Sequence, residues 1–439
     1  MTRSLASLSQ RGQSTIAVSC VFLVICASAA HASDEPKRDW LLGRAYKLPS
    51  EYTNQESGYF SIVAGQNGRL YIGCAKYGVN AYLIEFDPKA EKSTMVVDVM
   101  KTINSNATGF AAQAKIHTRN NVGASGKIYF GSKQGYPEKS EKKEDYPGGY
   151  AFTFDPKTGK SEEFGIAKKQ HGIISVTPDE AHGVAYISTC SDDRPIDHTH
   201  FMVLDLKKKT YRDLGDMEHP YAFIVVDHKG RAYHPKRGGT VARYDPEADK
   251  LEILKVTIDK AEPPKEITKD GAILNWELSP DRKTLYAVEL YTNQLYSFDL
   301  TATGDTIPGM KLGELLPKAK GTDCRAMSVG PDGRVWAAVT EQGLEEGALL
   351  HLVGYKPGDK APRDYGPVGV ENPTYTTFTD AAGKPKPWHH TMRKAKDGTL
   401  SPWQPMGICG VEDGTVYIET IAPFTLLRFP PEALKKREK

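Results

Sequence analysis

A single local pattern recurs seven times along this chain, and it restricts the fold more than any other feature. An apolar strand meets a Gly- or Asp-bearing turn, and the strand that follows carries a Tyr or Trp. The pattern appears as NGRLYIG (67–73), SGKIYFG (125–131), HGVAYIS (182–188), KGRAYHP (229–235), RKTLYAV (282–288), DGRVWAA (332–338) and DGTVYIE (413–419). A second series closes each unit: Phe86-Asp87-Pro88, Phe154-Asp155-Pro156, Leu204-Asp205-Leu206, Tyr244-Asp245-Pro246, Phe298-Asp299-Leu300, Gly354-Tyr355-Lys356-Pro357 and Phe429-Pro430-Pro431. Alternating apolar residues around a glycine turn are hairpin signals. Units of roughly 40–50 residues with about four strands each are the blades of a β-propeller. A sandwich has no reason to repeat one hairpin seven times, and β-helix coils are shorter. The expectation is an all-β, seven-bladed β-propeller in one domain, residues 33–439. Trp40–Leu48 is expected to supply a strand to the last blade, and the only helical signal is a short turn at Pro431–Lys436. The long interval Lys356–Gln404 is expected to cap one face.

Residues 1–32 read as a signal peptide outside that fold. Arg3 and Arg11 form a basic start, Ile16 to Ala30 an apolar stretch, and Ala30-His31-Ala32 a cleavage site. No later stretch is long and apolar enough to span a bilayer, so the expected address is secreted or periplasmic. Arg3 and Arg11 are the segment's only charged residues. Without them the 57 basic residues fall to the number of acidic ones, 55. A chain with no basic excess is a poor nucleic-acid binder. Cys74, Cys190, Cys324 and Cys409 are widely spaced with no CxxC, so no disulfide scaffold is implied, although one or two bridges suit an exported protein. The expected form is a monomer.

In a propeller the first strand of each blade lines the central channel. Its starting end lies beside the loops between second and third strands. Counting back twelve residues from the second-strand aromatic gives Tyr221 from Tyr233, His117 from Tyr129 and Cys324, beside Arg325, from Trp336. His171 lies fifteen before Tyr186, across a longer turn. The stretch Tyr221–Arg237 reads as one hairpin that returns His234 and Arg237 to the rim Tyr221 starts from. His117, His171, Tyr221 and Arg325 are therefore expected around one mouth, with Lys133, Gln134, Tyr136, His234 and Arg237 from the loops. A lone channel histidine is usually just solvated; this convergence argues for a site. In blade three, Cys190 ends one strand and His198-Thr199-His200 begins the next. Residues i and i+2 share a strand face, and thiolate with imidazole suits zinc, with His219 as a further candidate. The plainer alternative is a polar loop beside a buried thiol.

At these residues the chain resembles the seven-bladed β-propeller polysaccharide lyases, notably the ulvan lyases. The likeness rests on Lys115-Ile116-His117, on the YFG strand that follows, and on a channel tyrosine with an arginine sixteen positions on (Tyr221 and Arg237). It implies action on an anionic, uronate-containing polysaccharide by β-elimination, with His117 and Tyr221 as acid/base groups, Arg237 as the carboxylate clamp and a structural zinc nearby. Where those lyases carry a further histidine after the YFG strand, this chain has Ser132-Lys133-Gln134, and His171 is the residue placed to compensate. Two other classes share the fold. One is a non-catalytic glycan- or protein-binding propeller. The other is a lactonase of the gluconolactonase type, which holds calcium on axial carboxylates and amides, hinted at here by Asn275 and Glu277 alone.

Overall fold

The computed structural model describes residues 38–53, 61–190, 199–218, 222–263, 275–288, 293–345, 347–372, 378–379, 385–386, 392–402, 404–421 and 424–438. The chain divides into a leading unit, Met1–Arg38, and a second unit, Asp39–Lys439; the expected signal peptide lies outside the described residues.

Among the described residues the strands form seven four-stranded antiparallel meanders. The innermost strands are Ile62–Ala64, Asn121–Val122, Gly172–Asp179, Val225–Val226, Asn275–Leu278, Gly321–Val329 and Pro405–Gly410. The aromatics used for counting, Tyr71, Tyr129, Tyr186, Tyr233, Tyr286, Trp336 and Tyr417, all fall on second strands. Blade seven is completed from the far end of the sequence. Leu41–Lys47 pairs antiparallel with Thr425–Phe429 as its outer strand, and parallel with the outer strand of blade six, Arg363–Val370. The outer strands of blades four and five, Lys250–Ile258 and Thr306–Glu314, join the same way. A short helix, Pro431–Lys435, follows the last strand.

The residues themselves explain the blade. At the tight turn, Gly126 adopts φ +88°, which a glycine reaches without a Cβ penalty. In blade five the turn is one residue longer, and Arg282 takes the left-handed corner at φ +57°. The aspartates that close the third strands make the next turn: the Asp87 carboxylate accepts the N–H groups of Lys89 and Ala90, and Asp205 those of Lys207 and Lys208. That Asx geometry is why the Asp recurs.

The core lies between blades rather than within them. Seven buried apolar clusters occupy the seven seams, from Tyr71, Leu83, Ile128 and Phe130 between blades one and two to Ile62, Leu70, Tyr417 and Leu426 between blades seven and one. A cluster at the last seam means the ring is closed. The four cysteines Cys74, Cys190, Cys324 and Cys409 are buried and form no disulfide with one another.

Two details depart from expectation. The first strand of the Tyr221–Arg237 hairpin forms a ladder only at Val225–Val226. Before that point neighbouring side chains take the backbone groups: Ile224 N–H donates to Ser175 Oγ, its carbonyl accepts from Thr177 Oγ1, and Phe223 O accepts from Trp276 Nε1. In the interval 356–404, the described hairpin Met392–Lys394 with Leu400–Pro402 packs on blade six, where Ser401 Oγ donates to Val368 O.

Candidate functional site

The propeller has two unlike ends. The tight hairpin turns form a turn face; the second-to-third-strand loops and blade-to-blade connections form a loop face, where the expected site lies. There Lys115 bridges Ala75 on one side and Lys133 on the other. The N–H groups of Ala114 and Lys115 donate to Lys133 O, and Lys133 N–H donates to Lys115 O. Antiparallel bridge partners carry their side chains next to each other, so two buried lysines stand side by side, an arrangement that costs energy for like charges. Lys115 Nζ lies 4.4 Å from the ring centre of Tyr136 and 5.4 Å from that of Tyr77. These rings meet edge to face at 5.4 Å, and Tyr136 is 49% exposed. Gly172 allows the close approach of the next loop: a Cβ there would meet Lys133 Cγ at 2.5 Å and Gln134 Oε1 at 2.8 Å. Gln134 Oε1 is buried with no hydrogen-bond partner among the described residues.

His171 continues this line into blade three. Its Nδ1 lies 3.3 Å from Thr189 Oγ1, and its ring stands edge to face with His200 at 5.4 Å. His200 is held in turn, with Nδ1 2.9 Å from an Asp213 carboxylate oxygen that also receives Lys168 Nζ at 3.0 Å. Burial, and secondarily the His200 charge, push His171 down to about 4, so its imidazole is neutral at pH 7. Direct contacts thus join Lys115 to Lys133 and to Tyr136, and Gly172, the residue after His171, packs against Lys133 and Gln134; His117 is buried two residues along from Lys115.

Other expected members sit differently. Tyr221 and His198 lie outside the described residues. Arg237 is exposed, on the turn after Ala232–Lys236, with its N–H on Met217 O. His234 belongs to that strand rather than to a loop and is 0% exposed: Nε2 meets Ser188 Oγ at 2.9 Å, Nδ1 meets Pro235 O at 2.7 Å, and the ring lies 5.4 Å from Phe201. It is part of the seam between blades three and four. Arg325 is held by its neighbour, with Nε 2.8 Å from Asp323 Oδ2. Cys190 and His200 do not come together. Ser188 pairs with Phe201 across the ladder, so strand alternation puts His200 on the face toward blade two. Cys190 faces the other way, into the cluster with Phe223, Tyr233 and Trp276. As placed, these two do not fit one tetrahedral ion, and among the described residues no group of three or more His, Cys, Asp or Glu could hold a metal.

The residue that sequence reasoning passed over is Arg119. It leaves blade two and crosses the channel to the opposite wall. There Nη1 donates to Trp276 O, and Nη2 donates to Glu277 Oε2 at 2.8 Å and to Met327 O at 3.3 Å. The guanidinium rests 5.2 Å from the Phe223 ring centre. No local motif marks an arginine that acts across a ring. At the two residues of the calcium hint, Asn275 Nδ2 donates to Cys324 O, and Glu277 faces the Arg119 guanidinium.

No family model matches the chain, and no curated protein matches it. Among solved structures, the β-propeller domain of Myceliophteria thermophila Cps50 (Swd1) matches with a TM-score of 0.53 at 10% identity, over 88% of this chain and 99% of that one. The fold is a β-propeller. A chain from a structure of the mitotic checkpoint complex aligns at 9% identity with a TM-score of 0.49, over 94% of this chain and 99% of that one. At these identities the likeness extends to the fold alone.

Proposed function

We propose that this propeller binds an anionic, uronate-containing polysaccharide on its loop face and cleaves it by β-elimination. The observation that carries the reading is the pairing of Lys115 with Lys133 beside Tyr77 and the exposed Tyr136, with Gly172, the residue after His171, packed against Lys133 and Gln134. The lysines supply positive charge and the aromatic pair a surface for a sugar ring. Elimination removes the C5 proton of a 4-linked uronate. The electrons form the C4–C5 double bond, the C4–O bond breaks, and the leaving oxygen takes up a proton. Lys133 or Arg237 would stabilise the charge that develops on the carboxylate. A neutral His171 is in the right state to accept a proton, and a substrate carboxylate beside it would raise its low basicity toward working pH. His117 is the second candidate base, with Tyr221 as proton donor to the leaving oxygen.

A non-catalytic glycan-binding propeller is the second reading, favoured by the burial of His117, which is only 5% exposed. The zinc implied by the resemblance would have to be built on His198 and His200 rather than on Cys190. Elemental analysis of protein purified without chelator would detect it. The deciding experiment is ultraviolet absorbance of unsaturated uronate product across a panel of polyanionic glycans. Absorbance that grows with wild type and is lost on the order of 10²-fold in His171→Ala or Tyr221→Phe supports elimination. Binding without new absorbance supports the second reading, and neither binding nor absorbance with any glycan sinks both.

A further inference from the structure

A large cavity among the described residues lies away from the loop face. A funnel of about 870 Å³ opens on the turn face and draws lining residues from all seven blades. Every turn that forms its rim is within the described residues. Its floor is the Arg119–Glu277 pair, which also lines the inner channel segment beyond it. The pair is set rigidly: Glu277 Oε2 takes Arg119 Nη2 at 2.8 Å and Val329 N–H at 3.0 Å, while Arg119 is fixed by two backbone carbonyls and the Phe223 ring. Glu277 Oε1 has no hydrogen bond to the described protein, and a third of the side chain (33%) remains exposed. One carboxylate oxygen is therefore an acceptor that the described protein leaves unused, directly beside a guanidinium, on a side chain that lines the funnel.

The chemistry of that floor selects its ligand. The adjacent guanidinium cancels the carboxylate's charge, so neither a strong cation nor a polyanion is favoured. Higher up, four acidic (Asp179, Glu180, Glu412, Asp413) and three basic (Lys89, Arg282, Arg428) side chains line the funnel, so neither sign dominates it. Between floor and rim lie apolar surfaces, among them Leu278, Pro280 and Pro331. A balanced ion pair set under apolar walls suits a neutral molecule that presents hydroxyl donors on one edge and C–H surface on its faces.

We propose that the turn-face funnel is a second ligand site, and that it takes the terminal unit of a neutral saccharide, whose hydroxyl donates to Glu277 Oε1. The site is separate from the loop face and does not depend on its activity. Burial raises the Glu277 carboxyl above its ordinary range despite Arg119 and the Val329 N–H, as expected of a carboxylate kept from bulk water at the bottom of a cleft.

Isothermal titration of the full-length protein with cellobiose, lactose and sucrose tests the site, each to about 50 mM, well above the millimolar Kd expected of one charged hydrogen bond and ring packing. Saturable binding of at least one sugar is expected. Glu277→Gln keeps the shape of the floor and should weaken binding about tenfold. Ala181→Trp, at an exposed turn residue of the rim, should weaken it at least as much without touching the floor. Tyr136→Ala, on the opposite face, should leave it unchanged. Absence of saturable binding by all three sugars overturns the proposal. So does binding that is insensitive to both turn-face variants, or binding that responds only to Tyr136→Ala.

Discussion

The titratable residues sealed in the seams give this protein a pH dependence that can be worked out group by group. Burial pushes His234 down to about 4, only partly opposed by the carbonyl of Pro235. His171 lies at about 4 as well. A histidine depressed in the folded state binds its proton more readily when unfolded. Stability is therefore full above about pH 6.5 and falls as the pH drops toward 4. For wholly buried His234 the loss is on the order of 3 kcal/mol. Urea unfolding at pH 7 and pH 4.5 should show it, and His234→Asn should remove its share of the slope. Glu419 behaves in the opposite sense. It is 0% exposed in the seam between blades seven and one, with both carboxylate oxygens unpartnered among the described residues, and burial raises it far above the ordinary carboxylate range. Its folded form stays protonated where its unfolded form ionises, so it costs increasing stability as pH rises above the unfolded value. Glu419→Gln should stabilise the protein at pH 8 by about 1–3 kcal/mol and have little effect near pH 4. A thermal shift of equal size at both pH values would contradict this account.

Among the elements, the hairpin from blade four shows how one turn is locked. The Asp227 carboxylate is 0% exposed and accepts from the N–H groups of Lys229 and Arg231, from Arg231 Nε at 2.8 Å and from the Tyr233 hydroxyl at 2.9 Å. One side chain holds the turn and anchors the aromatic that fills the seam. Asp227→Ala strands a largely buried arginine as well as opening the turn, and should cost about 3–5 kcal/mol in chemical denaturation. An Asx-turn aspartate such as Asp155, whose carboxylate bonds the Lys157 N–H at the surface, should cost far less on the same change. The strand-closing series in the sequence marks Asp155, but only the Tyr233 and Arg231 contacts show the weight of Asp227.

On the scale of the whole molecule, the ring is closed by a strand taken from the start of the sequence. Leu41–Lys47 pairs with Thr425–Phe429, and Arg437 reaches back to Asp39 and the Trp40 carbonyl. Deleting residues 1–32 should leave thermal stability unchanged. Deleting residues 1–47 removes the outer strand of blade seven and opens the seam that Leu48 helps fill. A midpoint drop on the order of 10 °C or more is expected, together with a broadened transition. Equal midpoints for the two truncations would mean that closure depends on other contacts.

The repeat itself determined the architecture. Glycine turns, second-strand aromatics and closing aspartates are local devices, each legible over a few residues, and seven copies of them leave little choice of fold. Register counting set His117 and His171 ahead of the first-strand ladders of blades two and three, and Lys133 just past a second strand, because strand register is periodic. Only the tertiary structure decided which side of a strand a residue occupies in the closed ring and what faces it there. It turned Cys190 away from His200 into the next seam, sank His234 against Ser188 and sent Arg119 across the axis to Glu277. These are contacts between blades, made by residues far apart in sequence. No local pattern records them, since the partner of each side chain is fixed by how the blades pack around the ring.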